Sequence, residues 1–156
     1  MNNRIIIFGN NDFQREVYEA GKYYVNKAYL SDLFNNYIVD NFSNCNLTSK
    51  KIFNFLSVFL EKYKYSKCII KLGLADISLY SNEEFKENLV FILELLKNNN
   101  IKTVLLNIDN CYDLRVLEFN KIINELRNKY KASDSLSEEF VVLDNNINKF
   151  NFNLAK

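Results

Sequence analysis

Cys68-Ile69-Ile70-Lys71-Leu72-Gly73-Leu74-Ala75-Asp76 is a short, largely apolar run stopped by glycine and followed by a turn that ends in a carboxylate. Apolar residues in a continuous row, rather than alternating with polar ones, mark a strand covered on both faces, as in a parallel sheet between helices. Four other runs repeat the pattern. Arg4-Ile5-Ile6-Ile7-Phe8 stops at Gly9, Tyr37-Ile38-Val39 at Asp40, Thr103-Val104-Leu105-Leu106 at Asn107, and Phe140-Val141-Val142-Leu143 at Asp144.

Between these runs the apolar spacing changes to that of helices. From Asp12 onward Phe13, Val17, Ala20 and Tyr24 suggest a first helix, and Lys27 to Phe34 a weaker second patch. Thr48 fits the N-cap of a long helix whose apolar face carries Ile52, Phe53, Phe55, Leu56, Phe59, Leu60 and Tyr63. Ser81-Asn82-Glu83-Glu84 has the form of a capping box, opening a helix with Phe85, Leu89, Ile92, Leu93 and Leu96 on one side. Asp113 to Tyr130 is a further long helix, with Leu117, Ile122, Ile123 and Leu126 as the expected core stripe. Alternation of strand and helix without a linker predicts one α/β domain over residues 1–156. The expected architecture is a flavodoxin-like three-layer α/β/α sandwich with a five-stranded parallel sheet in order 2-1-3-4-5.

Composition narrows the chemistry. The 156 residues carry a net charge of +1, so nothing points to nucleic acid or an anionic membrane surface as partner. The apolar stretch at the N-terminus is too short for a signal peptide, and no run reaches the length of a spanning helix. A cytoplasmic protein is expected. Cys45, Cys68 and Cys111 are odd in number and widely spaced, which suits neither a disulfide framework nor a zinc site; Cys68 reads as core filler. The chain has no histidine, so it contains no Ser-His-Asp triad, Cys-His dyad or histidine-bound metal. Asn occurs 26 times and Pro not at all, a bias shared with AT-rich coding rather than a low-complexity tract.

Ligands of open parallel sheets bind at the carboxyl ends of the strands. There the sequence places Gly9-Asn10-Asn11-Asp12, Asp40 to Asn46, Gly73 to Asp76, Asn107 to Asn110 and Asp144-Asn145-Asn146. At these positions the chain resembles the SGNH, or GDSL, esterases and lipases. Ile5 to Asn11 looks like that family's strand followed by Gly-Asp-Ser. Asn41-Phe42-Ser43-Asn44-Cys45-Asn46-Leu47-Thr48 resembles its Asn-x-Gly-x-x-Gly-x-Thr block, and Ile69 to Asp76 its strand followed by Gly-x-Asn-Asp. The resemblance runs over nearly the whole chain and is strongest from Ser66 to Asp144.

The resemblance also implies what is missing. Asn11 stands at the nucleophilic serine, and an amide forms no acyl-enzyme. Asn46 stands at the oxyanion-hole glycine and Ala75 at the oxyanion-hole asparagine, where one lost donor typically costs about 10²–10³ in rate. The family's Asp-x-x-His has no counterpart between Asp144 and Lys156. The expectation is a domain of this type without serine ester hydrolysis. Its degenerate positions are Asn10, Asn11, Asn46 and Ala75, and its crevice is lined by Asp12, Asn41, Ser43, Asn44, Gly73 and Asp76. It would bind an unknown small molecule or a protein partner, with no cofactor and no metal.

Other readings stand beside this one. Asp12, Asp76, Asp109 and Asp144 lie at strand ends and could hold Mg²⁺ or simply cap helices. Ser43, Cys45 and Ser49 are nucleophile types, with Lys50 or Lys51 as conceivable bases. The start of the chain also resembles Rossmann-type nucleotide or nucleotide-sugar binders, although of the fingerprint glycines only Gly9 is present. A structural or interaction role, including a homodimer, would use the apolar tail Phe150-Asn151-Phe152-Asn153-Leu154.

Overall fold

A computed structural model describes residues 3–10, 13, 16–25, 36–109 and 113–135. Strand β1 (Arg4–Gly9) runs through the middle of the sheet, and Ile5, Ile6, Ile7 and Phe8 have no solvent exposure. Burial on both faces is the physical reason the run is continuously apolar. β1 is flanked in parallel by β4 (Ile38–Asn41) and β5 (Lys67–Lys71), and β6 (Lys102–Leu105) continues the sheet beyond β5. The spatial order β4-β1-β5-β6 is the predicted 2-1-3-4. The described sheet thus has four strands rather than five, because the fifth run, Phe140 to Leu143, lies outside the described residues. On the outer edge of β6 Ser133 makes a parallel bridge, donating its N–H to Thr103 O at 3.0 Å and accepting from Leu105 N at 3.0 Å.

The helix expected from Asp12 onward is not formed over residues 16–25. Glu16–Glu19 (β2) and Lys22–Val25 (β3) pair as an antiparallel hairpin. Its two turn residues, Ala20 and Gly21, have φ of 50° and 79°. Positive φ at both turn positions gives the twist that joins antiparallel strands, and the flanking Val and Tyr residues favour strands. The spacing of Val17, Ala20 and Tyr24 is compatible with a helix, but the Ala-Gly turn decides otherwise. The patch Lys27 to Phe34 lies outside the described residues.

The other helices form where their caps predict. α1 (Ser49–Lys62) is capped by Thr48, whose hydroxyl accepts from Lys51 N. α2 (Asn82–Asn98) carries the full Ser81–Glu84 capping box. α3 (Leu114–Tyr130) starts at the Asp113 cap and stops at Lys131, a left-handed residue with φ 53°. One core cluster joins Ile6, Phe8, Cys68, Ile70 and Leu105 to residues of all three helices, so the three cover the same sheet face. Cys68 is core, as expected. The inward stripe of α3 is Val116, Phe119, Ile123 and Leu126: Ile123 and Leu126 are as predicted, whereas Leu117 is exposed and Ile122 only half-buried. Phe119 sets this rotation by stacking flat on Phe85, 4.1 Å between ring centres. Among the described residues no helix is long and apolar enough to cross a membrane.

Candidate functional site

The parallel strands bring the predicted polar ends together at one edge of the sheet, where most of their side chains brace the loops. Asn10 is nearly buried, and its Nδ2 donates to Asn44 O at 3.1 Å and Leu47 O at 3.2 Å. The Asn44 N–H returns a bond to Gly9 O at 3.1 Å. Asn41 donates to Phe13 O at 2.8 Å and accepts from the Ser43 N–H at 3.0 Å. The ends of β1 and β4 are therefore one bonded unit. Asn11 and Asp12 lie outside the described residues.

The loop after β4 carries three of the candidate residues. Asn44 Oδ1 accepts from the Asn46 N–H at 2.9 Å, an Asx turn on the exposed side of the loop. Ser43 Oγ is buried, and among the described residues it has no hydrogen-bond partner. The close approach of Phe13, and then of this loop, explains why residue 9 is glycine: a Cβ there would fall 2.5 Å from Phe13 Cδ2 and 3.2 Å from Ser43 Oγ. Cys45 is an exposed free thiol.

Asp76 ties the loop after β5 to α1. It has no exposure, and its carboxylate accepts the Ser49 N–H at 3.1 and 3.2 Å and the Ser49 hydroxyl at 2.6 Å. The positive end of the α1 dipole and these bonds favour the anion. Burial is the larger influence and holds the carboxyl above the usual carboxylate range, with the Ser49 bonds pulling it part of the way back. Ser49 is thereby a partner of Asp76 rather than a free nucleophile. Gly73 has φ 136°, and a Cβ on it would meet Ile108 Cδ1 at 2.3 Å. Ala75 is half-buried beside this turn in the chain and offers no side-chain donor.

Several positioning residues escaped the sequence reading. Arg115 donates to Ile77 O and to Tyr80 O (2.6 Å), so the start of α3 clamps the same loop. Lys71, buried at the end of β5, forms an ion pair with Asp109 at 2.8 Å across to the loop after β6. Asn120 pairs with both backbone groups of Ile108, at 2.8 and 3.0 Å. A lysine inside an apolar strand is a visible signal; the partners of Arg115 and Asn120 leave none. Asp76 and Asp109 both engage protein donors, and among the described residues no group of three His, Cys, Asp or Glu side chains is arranged to hold a metal ion. Asp144 lies outside the described residues. The nucleotide reading needs a helix directly after Gly9; residues 11, 12, 14 and 15 lie outside the described residues, and Glu16–Val25 is a hairpin. The tail from Phe150 also lies outside the described residues.

No family model and no curated protein matches the sequence. Solved structures do match. AlinE4, an SGNH-hydrolase family esterase, superposes with a TM-score of 0.70 and 23% identity, over 85% of this chain and 75% of that one. TesA gives 0.68 and 17% identity over 83% and 75%. A GDSL-like lipase from Bacteroides thetaiotaomicron gives 0.63 and 16% identity over 92% and 73%. The chain has the fold of the SGNH, or GDSL, esterases and lipases.

Proposed function

We propose that this chain uses an esterase-type fold without serine hydrolysis, and that the crevice at the strand ends holds a small ligand or a protein partner. The observation that carries the reading is at Asn46. Its N–H, which the sequence resemblance sets at an oxyanion-hole donor, already bonds Asn44 Oδ1 at 2.9 Å. A donor engaged in this way does not stabilise a developing negative charge unless the turn opens. Ala75 supplies no side-chain donor where the resemblance expects asparagine, Asn11 supplies no nucleophile, and no histidine is present to act as base. The loops remain braced by Asn10, Asn41, Asp76 and Arg115, which suits a rigid binding site. The exposed thiol of Cys45 fits a reducing, cytoplasmic setting.

The test is hydrolysis of short-chain acyl esters by the purified protein, with Asn11→Ala and the Ser43→Ala, Cys45→Ala pair as controls. Rates equal to buffer support the proposal. Turnover abolished by either control overturns it, because another catalytic arrangement would then have replaced the triad. A thermal-shift screen of small ligands follows, since a ligand at 100 times its Kd adds about 2.7 kcal/mol. Stabilisation lost in Ala75→Trp assigns the ligand to this site.

A further inference from the structure

We propose that a second, cationic cavity, at the end of the sheet opposite the crevice, binds the phosphate group of a small molecule. The cavity has a volume of about 500 Å³, and its lining includes Lys97, Lys102, Lys131, Tyr130, Leu93 and Ile101. That volume lies within the range of small-ligand sites, about 300–1,000 Å³. Lys97 is in the last turn of α2, Lys131 follows the end of α3, and Lys102 opens β6. The chain as a whole carries only +1, so three lysines lining one cavity, all of them exposed, are a local concentration of charge.

Lysines near helix C-termini often serve the helix itself by bonding its last carbonyls. Here backbone N–H groups already do so. Leu95, Leu96 and Lys97 carbonyls accept from Asn99, Ile101 and Asn100, and Arg127 and Asn128 carbonyls from Ala132 and Lys131. Among the described residues none of the three lysines has an ion-pair or side-chain hydrogen-bond partner. Glu94, the acid bonded to a lining residue, accepts from the Tyr130 hydroxyl at 2.6 Å. Burial, and then this bond, push the Tyr130 phenol up to about 12, so it stays neutral and offers the cavity its ring. The buried Leu93 and Ile101 add apolar wall. A multivalent anion relieves the repulsion among the lysines through charge-assisted hydrogen bonds, and the aromatic and aliphatic walls suit a compact organic group attached to it.

The test is isothermal titration at low ionic strength with inorganic phosphate, pyrophosphate and adenosine monophosphate as probes. Saturable binding that weakens with added salt is expected, and each of Lys97→Gln, Lys102→Gln and Lys131→Gln should weaken it about tenfold. The triple Gln variant should abolish it, triple Arg should restore it, and Lys50→Gln on α1 should leave it unchanged. Tighter binding of the nucleotide than of phosphate identifies a phosphorylated small molecule; the reverse identifies the free anion. Should the triple Gln variant not fold, the single variants decide. No binding of any probe, binding unchanged in the Gln variants, or retention of single-stranded RNA in place of all three probes overturns the proposal. None of these outcomes depends on the crevice.

Discussion

Replacing Asp76 should reveal how much of the site rests on one buried carboxylate. Asp76 and Ser49 have no exposure, so no water replaces the bonds that join them. In Asp76→Ala both Ser49 donors, the N–H and the hydroxyl, lose their acceptor. A buried donor left unsatisfied costs about 1–3 kcal/mol, so the pair should cost about 2–6 kcal/mol, a large part of a domain's usual stability. Asp76→Asn keeps one acceptor oxygen and should cost about 1 kcal/mol at low pH.

The pH dependence gives the sharper distinction. Because the native carboxyl titrates above its unfolded value, the folded state holds this proton more tightly than the unfolded chain. Stability from this group is greatest below the unfolded value, about 4, and is lost as pH rises through the raised native value. Asp76→Asn has no such loss. Urea unfolding of wild type and Asp76→Asn in steps from acid to neutral pH should give a difference curve in which the Asn variant gains on wild type as pH rises. A flat difference curve, or one with the opposite slope, would refute the account of Asp76 as a carboxylate whose burial outweighs its bonds. A cost below about 1 kcal/mol for Asp76→Ala would refute the bonding account.

Gly73→Ala should destabilise the domain by about 2–5 kcal/mol, from a φ that only glycine adopts easily and from the clash with Ile108. Adding Ile108→Val should recover the steric part alone, which a double-mutant cycle in urea measures. Asn10→Ala removes the donor shared by Asn44 O and Leu47 O, and a lowered thermal midpoint corresponding to about 1–3 kcal/mol is expected. Arg115→Ala releases the carbonyls of Ile77 and Tyr80, so hydrogen exchange should quicken in residues 76–80 while the amides of β1 and β5 stay protected.

The fold was legible because its signals are local. Continuous apolar runs that stop at Gly9 and Gly73 mark buried parallel strands, and Thr48, Ser81 with Glu84, and Asp113 mark helix starts within three residues of their partners. The misreading at residues 12–24 came from a spacing that both a helix and a hairpin satisfy, with the Ala20-Gly21 turn as the overlooked evidence. On α3 the reading was right at Ile123 and Leu126 and wrong at the first turns. Leu117 and Val116 are equally apolar, and only the stacking of Phe119 on Phe85 selects which of them faces inward.

At the site, residue identity alone gives an amide at 11, a methyl at 75 and no histidine among the 156 residues. It could not say that Asn10 bonds Asn44 and Leu47, Asn41 bonds Phe13, and Asp76 bonds Ser49. Asp76 and Ser49 are 27 positions apart and Lys71 and Asp109 38 apart, and such pairs form only where the sheet order brings their strand ends together. The lysine cavity has the same origin, since Lys97, Lys102 and Lys131 are unremarkable in a charged chain until α2 and α3 end beside the start of β6. Strand, helix and cap follow from interactions among near neighbours, which the sequence holds by itself. The partner each polar side chain finds is a matter of packing, because burial removes water as the alternative and the tertiary structure alone decides which groups are left to replace it.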